Sequence, residues 1–260
     1  DSILYNGYLS YDFAYNATGY EEFPEVFTFT GDIVIDIKGE SSYKSGAAGV
    51  NEIWTVNHDN ISFAFLYVPY NWFNGKLYIE NDTMFNVLFN GVAVEPEGFY
   101  RDQANLGNYG KYGYGVLVYD VTDYIKTGDN TFNLTKVNPP PTVYTTALVY
   151  AYDSDDSDVV KTAYILNGAA LLANDYNKAG RIVTLDTEID IDPFVNATLY
   201  VLASSAEKGE GNIIVNDEVF ENVWNGTSKT TNLYTVDITG VATGFNDISF
   251  VATGSTILAL

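Results

Sequence analysis

Apolar side chains along this chain recur in short runs of β-branched and aromatic residues, broken by Gly, Asn and Asp. Runs of that length and composition, with period two or none, predict β-strands rather than helices. Residues 33–37 (IVIDI), 76–79 (KLYI), 85–89 (FNVLF), 116–121 (VLVYDV), 131–134 (TFNL) and 143–152 (VYTTALVYAY) are such runs. Residues 61–68 (ISFAFLYV) are apolar at nearly every position, so that strand is expected to be buried on both faces. Asn-Gly pairs begin at Asn6, Asn74, Asn90, Asn167 and Asn225. Asn-Gly accepts the positive φ angles of a tight hairpin, so several of these are expected to join neighbouring strands. The prediction is an all-β protein of sandwich or jelly-roll type.

The pattern repeats weakly. Leu66-Tyr67-Val68, Phe89-Asn90-Gly91, an Asp-x-Thr at Asp120 and Thr122, and Asn130 return in the same order. Their counterparts are Leu199-Tyr200-Val201, Val215-Asn216-Asp217, Asp237 with Thr239, and Asn246. Two copies of one β module account for the length of 260 residues. The acidic, Ser-rich stretch 153–158 (DSDDSD) has no apolar period. It places two tandem β-sandwich domains at 1–157 and 158–260, with charges of roughly −14 and −8.

Composition then removes whole classes of function. The 34 acidic residues face 12 basic ones, for a formal charge of −22. That surface opposes nucleic acid and anionic lipid, both of which require positive charge. The chain has no cysteine and one histidine, His58. Disulfides, thiolate metal sites and multi-histidine sites are therefore excluded, and a Ser-His-Asp triad would have to use His58. No run of about 20 apolar residues is present, so no transmembrane helix is expected. Asp1 in place of an initiator Met reads as a processed chain, from which a signal peptide could have been removed.

The candidate chemistry is sparse. Six Asn-x-Ser/Thr sequons begin at Asn16, Asn60, Asn81, Asn133, Asn196 and Asn225. They point to a secreted glycoprotein, against the plainer reading of chance in an Asn- and Thr-rich chain. Asn133 lies in a strand and needs an outward face to carry a glycan. Asp153, Asp155, Asp156 and Asp158 offer carboxylates for calcium, against the plainer reading of a solvated linker. Glu188, Asp190 and Asp192 alternate along one strand face and read as an edge that repels pairing. His58 beside Asp59 reads as a surface histidine rather than an acid–base pair. No serine-nucleophile or phosphate-loop pattern occurs, and no carboxylate pair is singled out, so an enzyme is not expected. Tyr70 and Trp72 end the buried strand, and Tyr109, Tyr112 and Tyr114 fill a Gly-Tyr-rich loop. They are candidates for sugar stacking or subunit contact, beside the plainer role of core filling. Both ends of the chain have strand character, which suits pairing within the domain or with a neighbouring subunit.

Several segments together resemble an archaeal family of unknown function found in secreted and cell-surface proteins of methanogens. They are 63–68 (FAFLYV), 89–91 (FNG), 112–116 (YGYGV), 119–124 (YDVTDY), 128–130 (GDN), 147–152 (ALVYAY) and 165–168 (ILNG), with the repeat in the second half. The resemblance implies an extracellular tandem β-sandwich module and brings no catalytic residue with it. The expected function is structural: a protein that assembles with copies of itself into a cell-surface layer, sheath or filament. A carbohydrate-binding or adhesive module is the alternative.

Overall fold

The structure is a computed structural model. It describes residues 24–38, 49–71, 84–102, 114–137, 141–173, 182–188, 196–227, 229–252 and 256–259. For residues 101–102, 170–173, 182–188, 252 and 256–259 only the main chain is described.

All regular structure among the described residues is β. The first half contributes β1 (Glu25–Phe29), β2 (Asp32–Lys38), β3 (Val50–Val56), β4 (Ile61–Asn71), β5 (Phe85–Phe89) and β6 (Val92–Val94). It continues with β7 (Gly98–Asp102), β8 (Tyr114–Asp120), β9 (Gly128–Lys136), β10 (Thr142–Val143) and β11 (Thr146–Tyr152). After the acidic stretch come β12 (Lys161–Ile165), β13 (Ala170–Ala173), β14 (Ile182–Glu188), β15 (Thr198–Ser204) and β16 (Gly211–Val215). The last strands are β17 (Glu218–Phe220), β18 (Thr231–Asp237), β19 (Phe245–Ala252) and β20 (Thr256–Ala259).

These strands form four antiparallel sheets and a ribbon. A central sheet runs β2-β11-β4-β8-β7, with β10 added to the far end of β4. A second sheet runs β3-β9-β5-β6. The third and fourth run β13-β20-β15-β18 and β14-β19-β16-β17. The ribbon pairs β1 with β12, so the strand that follows the acidic stretch returns to the first strand of the chain. The C-terminal strand β20 sits between β13 and β15 and is paired within the chain.

The sequence pattern explains the layering. β4 is buried on both sides, as its unbroken apolar run requires. Ala64, Leu66, Val68 and Tyr70 turn toward the β3-β9-β5-β6 sheet and pack with Trp54, Phe89 and Phe132. Phe63, Phe65 and Tyr67 turn the other way and pack with Phe29, Ala169 and Leu202. Partly buried Ala163, Ile165 and Leu233 close that interface from the β1-β12 ribbon and β18. A third core lies between the two sheets of the second half, around Ile213, Val215, Trp224, Tyr234 and Phe250. The edge strand β2 alternates in the same way: Ile33, Ile35 and Ile37 join the β1-β12 side, and Val34 the opposite core.

One glycine is fixed by packing. At Gly115 in β8 a Cβ would run into the Tyr70 hydroxyl and the carbonyl of Tyr100, so the buried tyrosine fits only because position 115 has no side chain.

Candidate functional site

The polar groups that the fold gathers are concentrated at the turns. After β8, Asp120 accepts the main-chain N–H of Thr122 (2.8 Å), and Thr122 Oγ1 accepts the N–H of Ala64 (2.8 Å). After β18, Asp237 accepts the N–H of Thr239 and Thr239 Oγ1 accepts the N–H of Ala197, each at 2.9 Å. The Thr239 N–H donated to it is the main reason the Asp237 carboxyl is held below the usual aspartate range.

The second recurring device is a pair of side-chain amides. Asn130 is fully buried. Its Oδ1 accepts from the Lys126 N–H (2.9 Å) and from Asn90 Nδ2 (2.8 Å). Its Nδ2 donates to the carbonyls of Lys126 (2.7 Å) and Gly128 (3.0 Å). Asn90 completes the bracket, accepting the Thr131 N–H at 2.9 Å and donating to the Tyr124 carbonyl at 2.8 Å. Asn246 and Asn216 make the matching bonds: Asn216 Nδ2 to Asn246 Oδ1 (2.9 Å) and to the Val241 carbonyl (3.0 Å). Thr243 N–H donates to Asn246 Oδ1 (2.8 Å), and the Asp247 N–H to Asn216 Oδ1 (2.9 Å). Asn90 and Gly91 both have positive φ (51° and 79°), as do Asn216 and Asp217 (47° and 73°). Each pair makes the two-residue turn of a hairpin, β5-β6 or β16-β17, whose twist matches its strands.

Asp153 is the third polar node. It accepts the Thr30 N–H and the Ser62 hydroxyl, each at 2.9 Å. Those bonds, the Thr30 N–H foremost, hold its carboxyl below the ordinary value of 3.8. Asp155, Asp156 and Asp158 are exposed. Among the described residues no three or more His, Asp or Glu side chains gather as a metal site. The Asp153 carboxylate thus ties the end of β11 to the turn after β1 and to the start of β4.

Residues 16–260 match the family described as "Protein of unknown function (DUF3344)". The chain belongs to that family. No curated protein matches it. Among solved structures it is similar to Streptomyces avermitilis α-L-rhamnosidase complexed with L-rhamnose, at 14% identity and a TM-score of 0.26. That similarity covers 94% of this chain and 27% of the rhamnosidase chain, so the chain spans about a quarter of that protein's length. A likeness at that score carries nothing about this chain's chemistry.

Two aromatic candidates are corrected by the structure. Tyr70 and Tyr114 are fully buried, so neither is a surface platform. Tyr70 packs with Phe85 and Phe99 on one side of the central sheet, and Tyr114 belongs to the core on the other. The reason is strand pairing: Asn71 and Tyr70 lie in register with Tyr114 and Gly115, which draws both ends into the sheet. Trp72, Tyr109 and Tyr112 lie outside the described residues.

His58 stacks on Tyr152, with ring centroids 3.7 Å apart and planes 6° from parallel. Its Nδ1 is 3.3 Å from the Tyr150 hydroxyl. Burial, aided by Asp36 and Tyr152, raises the Tyr150 hydroxyl above its usual range and keeps it neutral. Asp59 instead accepts a short hydrogen bond from Thr127. The sequence neighbours His58 and Asp59 thus serve different contacts.

Of the sequons, Asn60, Asn196 and Asn225 are exposed in loops, and Asn133 is half-buried on the outward side of β9. Asn16 and Asn81 lie outside the described residues, as do Asp190 and Asp192; Glu188 is described by its main chain only. Among the Asn-Gly pairs, Asn90 makes the expected hairpin. Asn167 is buried and accepts the Tyr67 hydroxyl at 2.8 Å, and Asn225 sits in a loop whose N–H, with that of Gly226, reaches the Tyr234 hydroxyl. Asn6 and Asn74 are outside the described residues.

Two predictions follow from this geometry. Asn130→Ala and Asn246→Ala each remove a buried side chain's bonds to several main-chain groups, and each should lower the unfolding free energy by about 1–3 kcal/mol in urea titrations. Asp153→Asn should lower the melting temperature near neutral pH. Because the folded carboxyl is depressed, its stabilisation is present above pH 3.8 and is lost as pH falls through the folded value. The difference between wild type and variant should therefore close below pH 3.8 in thermal melts.

Proposed function

We propose that this chain is a non-enzymatic extracellular structural protein of an archaeon, built from tandem copies of one β module. Copies of it assemble into a cell-surface layer, sheath or filament. The observation that carries this reading is the stack of sheets joined by three apolar cores in one chain. Such a block is stiff without disulfides, and its turns are locked by the same amide bracket in each half. The recurrence of the Asp-x-Thr and Asn–Asn bonds at corresponding strands supports the tandem reading. The exposed sequons at Asn60, Asn196 and Asn225 suit a glycosylated surface protein. The exposed Asp155, Asp156 and Asp158 are candidates for calcium bridging between copies rather than within one.

A charge of −22 makes copies repel, and salt screens that repulsion over a length of about 10 Å at 0.1 M. Assembly should therefore strengthen as salt rises. Electron microscopy of the protein taken from the cell surface, at low and high salt and with or without a chelator, tests this. Ordered polymers favoured by salt are expected, and their loss on chelation alone would assign calcium the bridging role. Single particles under every condition would overturn the proposal and turn attention to sugar binding.

A further inference from the structure

We infer that the outward face of the β3-β9-β5-β6 sheet is the surface through which two copies of this chain meet. The inference rests on the self-assembly reading and names the contact it would use. The face is unusual in its chemistry. In a chain with 46 charged residues, as 34 acidic and 12 basic, its rows are nearly uncharged. One row across the strands reads Asn51, Asn133, Leu88 and Ala93, and the next pairs Ile53 with Thr131. Among the described residues of these rows the one carboxylate, Asp129, is engaged by the Thr55 hydroxyl at 2.7 Å. Ile53 is 57% exposed and Leu88 40%.

Charge decides the occupant. A second copy also carries −22, and any contact that brings carboxylates together is opposed. This face lets two copies approach with almost none. Side-chain amides and hydroxyls both donate and accept, so Asn51, Asn133 and Thr131 can bond to the same residues of a copy across a two-fold axis. Ile53 and Leu88 supply the apolar area to be covered. Addition at most sheet edges is less suited: β2, β3, β7, β14, β17 and β18 each carry charged residues, which oppose strand pairing, while the short edge strands β6 and β13 carry none. A glycan on Asn133 would stand in the middle of the contact, so this sequon must stay bare while exposed ones are free to be modified.

Sedimentation at high salt compares the wild type, Ile53→Glu/Leu88→Glu and Val159→Glu/Val160→Glu. The last pair adds the same charge at exposed positions of the linker. The sheet variant should self-associate roughly a hundredfold more weakly, because desolvated like charges cost several kcal/mol, while the linker variant should match the wild type. Equal association of all three overturns the inference but leaves self-assembly standing; a monomeric wild type removes self-assembly itself. The absence of cysteine allows a second readout that does not depend on destabilisation. Under oxidation Asn133→Cys should give a disulfide-linked dimer and Val159→Cys should not. The reverse result, or a glycan found on native Asn133, also overturns the inference.

Discussion

Everything in this molecule depends on a sheet that has no solvent face. The strands β11, β4 and β8 bury side chains above and below, so the central sheet needs a partner layer on each side. The first half of the chain supplies one layer, the β3-β9-β5-β6 sheet. The other is built from the β1-β12 ribbon and from residues of the second half, including Ala169 and Leu202. Inside that interface the Tyr67 hydroxyl reaches Asn167, and Asn167 in turn donates to Glu25 at 3.3 Å. The apolar layer is thus pinned by a polar chain that spans early, middle and late sequence.

Stiffness at the periphery comes from a different source. The β5-β6 and β16-β17 turns are each held by an asparagine with positive φ, and that asparagine is gripped by a second one near the start of the neighbouring strand. The buried amides of Asn130 and Asn246 use their donors and acceptors on the main chain of the turns before those strands. The turn geometry is therefore fixed without a metal or a covalent link, in keeping with a chain that has no cysteine. Charge is placed along most sheet edges, while the described outward face around Asn133 carries little. That division suits a unit that avoids random strand addition but is able to meet its own kind on a flat surface.

Local pattern made much of the architecture legible. The unbroken apolar run at 61–68 announced a doubly buried strand, and the strand runs at 33–37, 85–89 and 131–134 all lie within β-strands. The repeated order of Asn90, Asp120, Thr122 and Asn130 with Asn216, Asp237, Thr239 and Asn246 was visible as well. Its meaning was not, because Asn90 and Asn130 meet across 40 residues and spacing alone does not reveal a contact. The same holds for Asp153: as one acid in an acidic run it reads as a calcium ligand or a solvated linker, yet its partner Thr30 lies 123 residues away. Tyr70 and Tyr114 stayed open between contact residue and core filler because each sits at the end of its run, and strand register places them in the core. The uncharged face was hidden for a related reason, since its residues come from four strands and share a side only once the sheet is paired.

The core shared between the central sheet and residues of the second half should make the two halves one cooperative unit. Hydrogen exchange of the intact protein, read strand by strand, tests this directly. Amides of β4 and β15 should exchange through the same global opening, with equal free energies and equal sensitivity to denaturant. If β15, β16 and β18 opened together at markedly lower free energy while β4 and β11 stayed protected, the halves would be independent and the shared interface would not hold them.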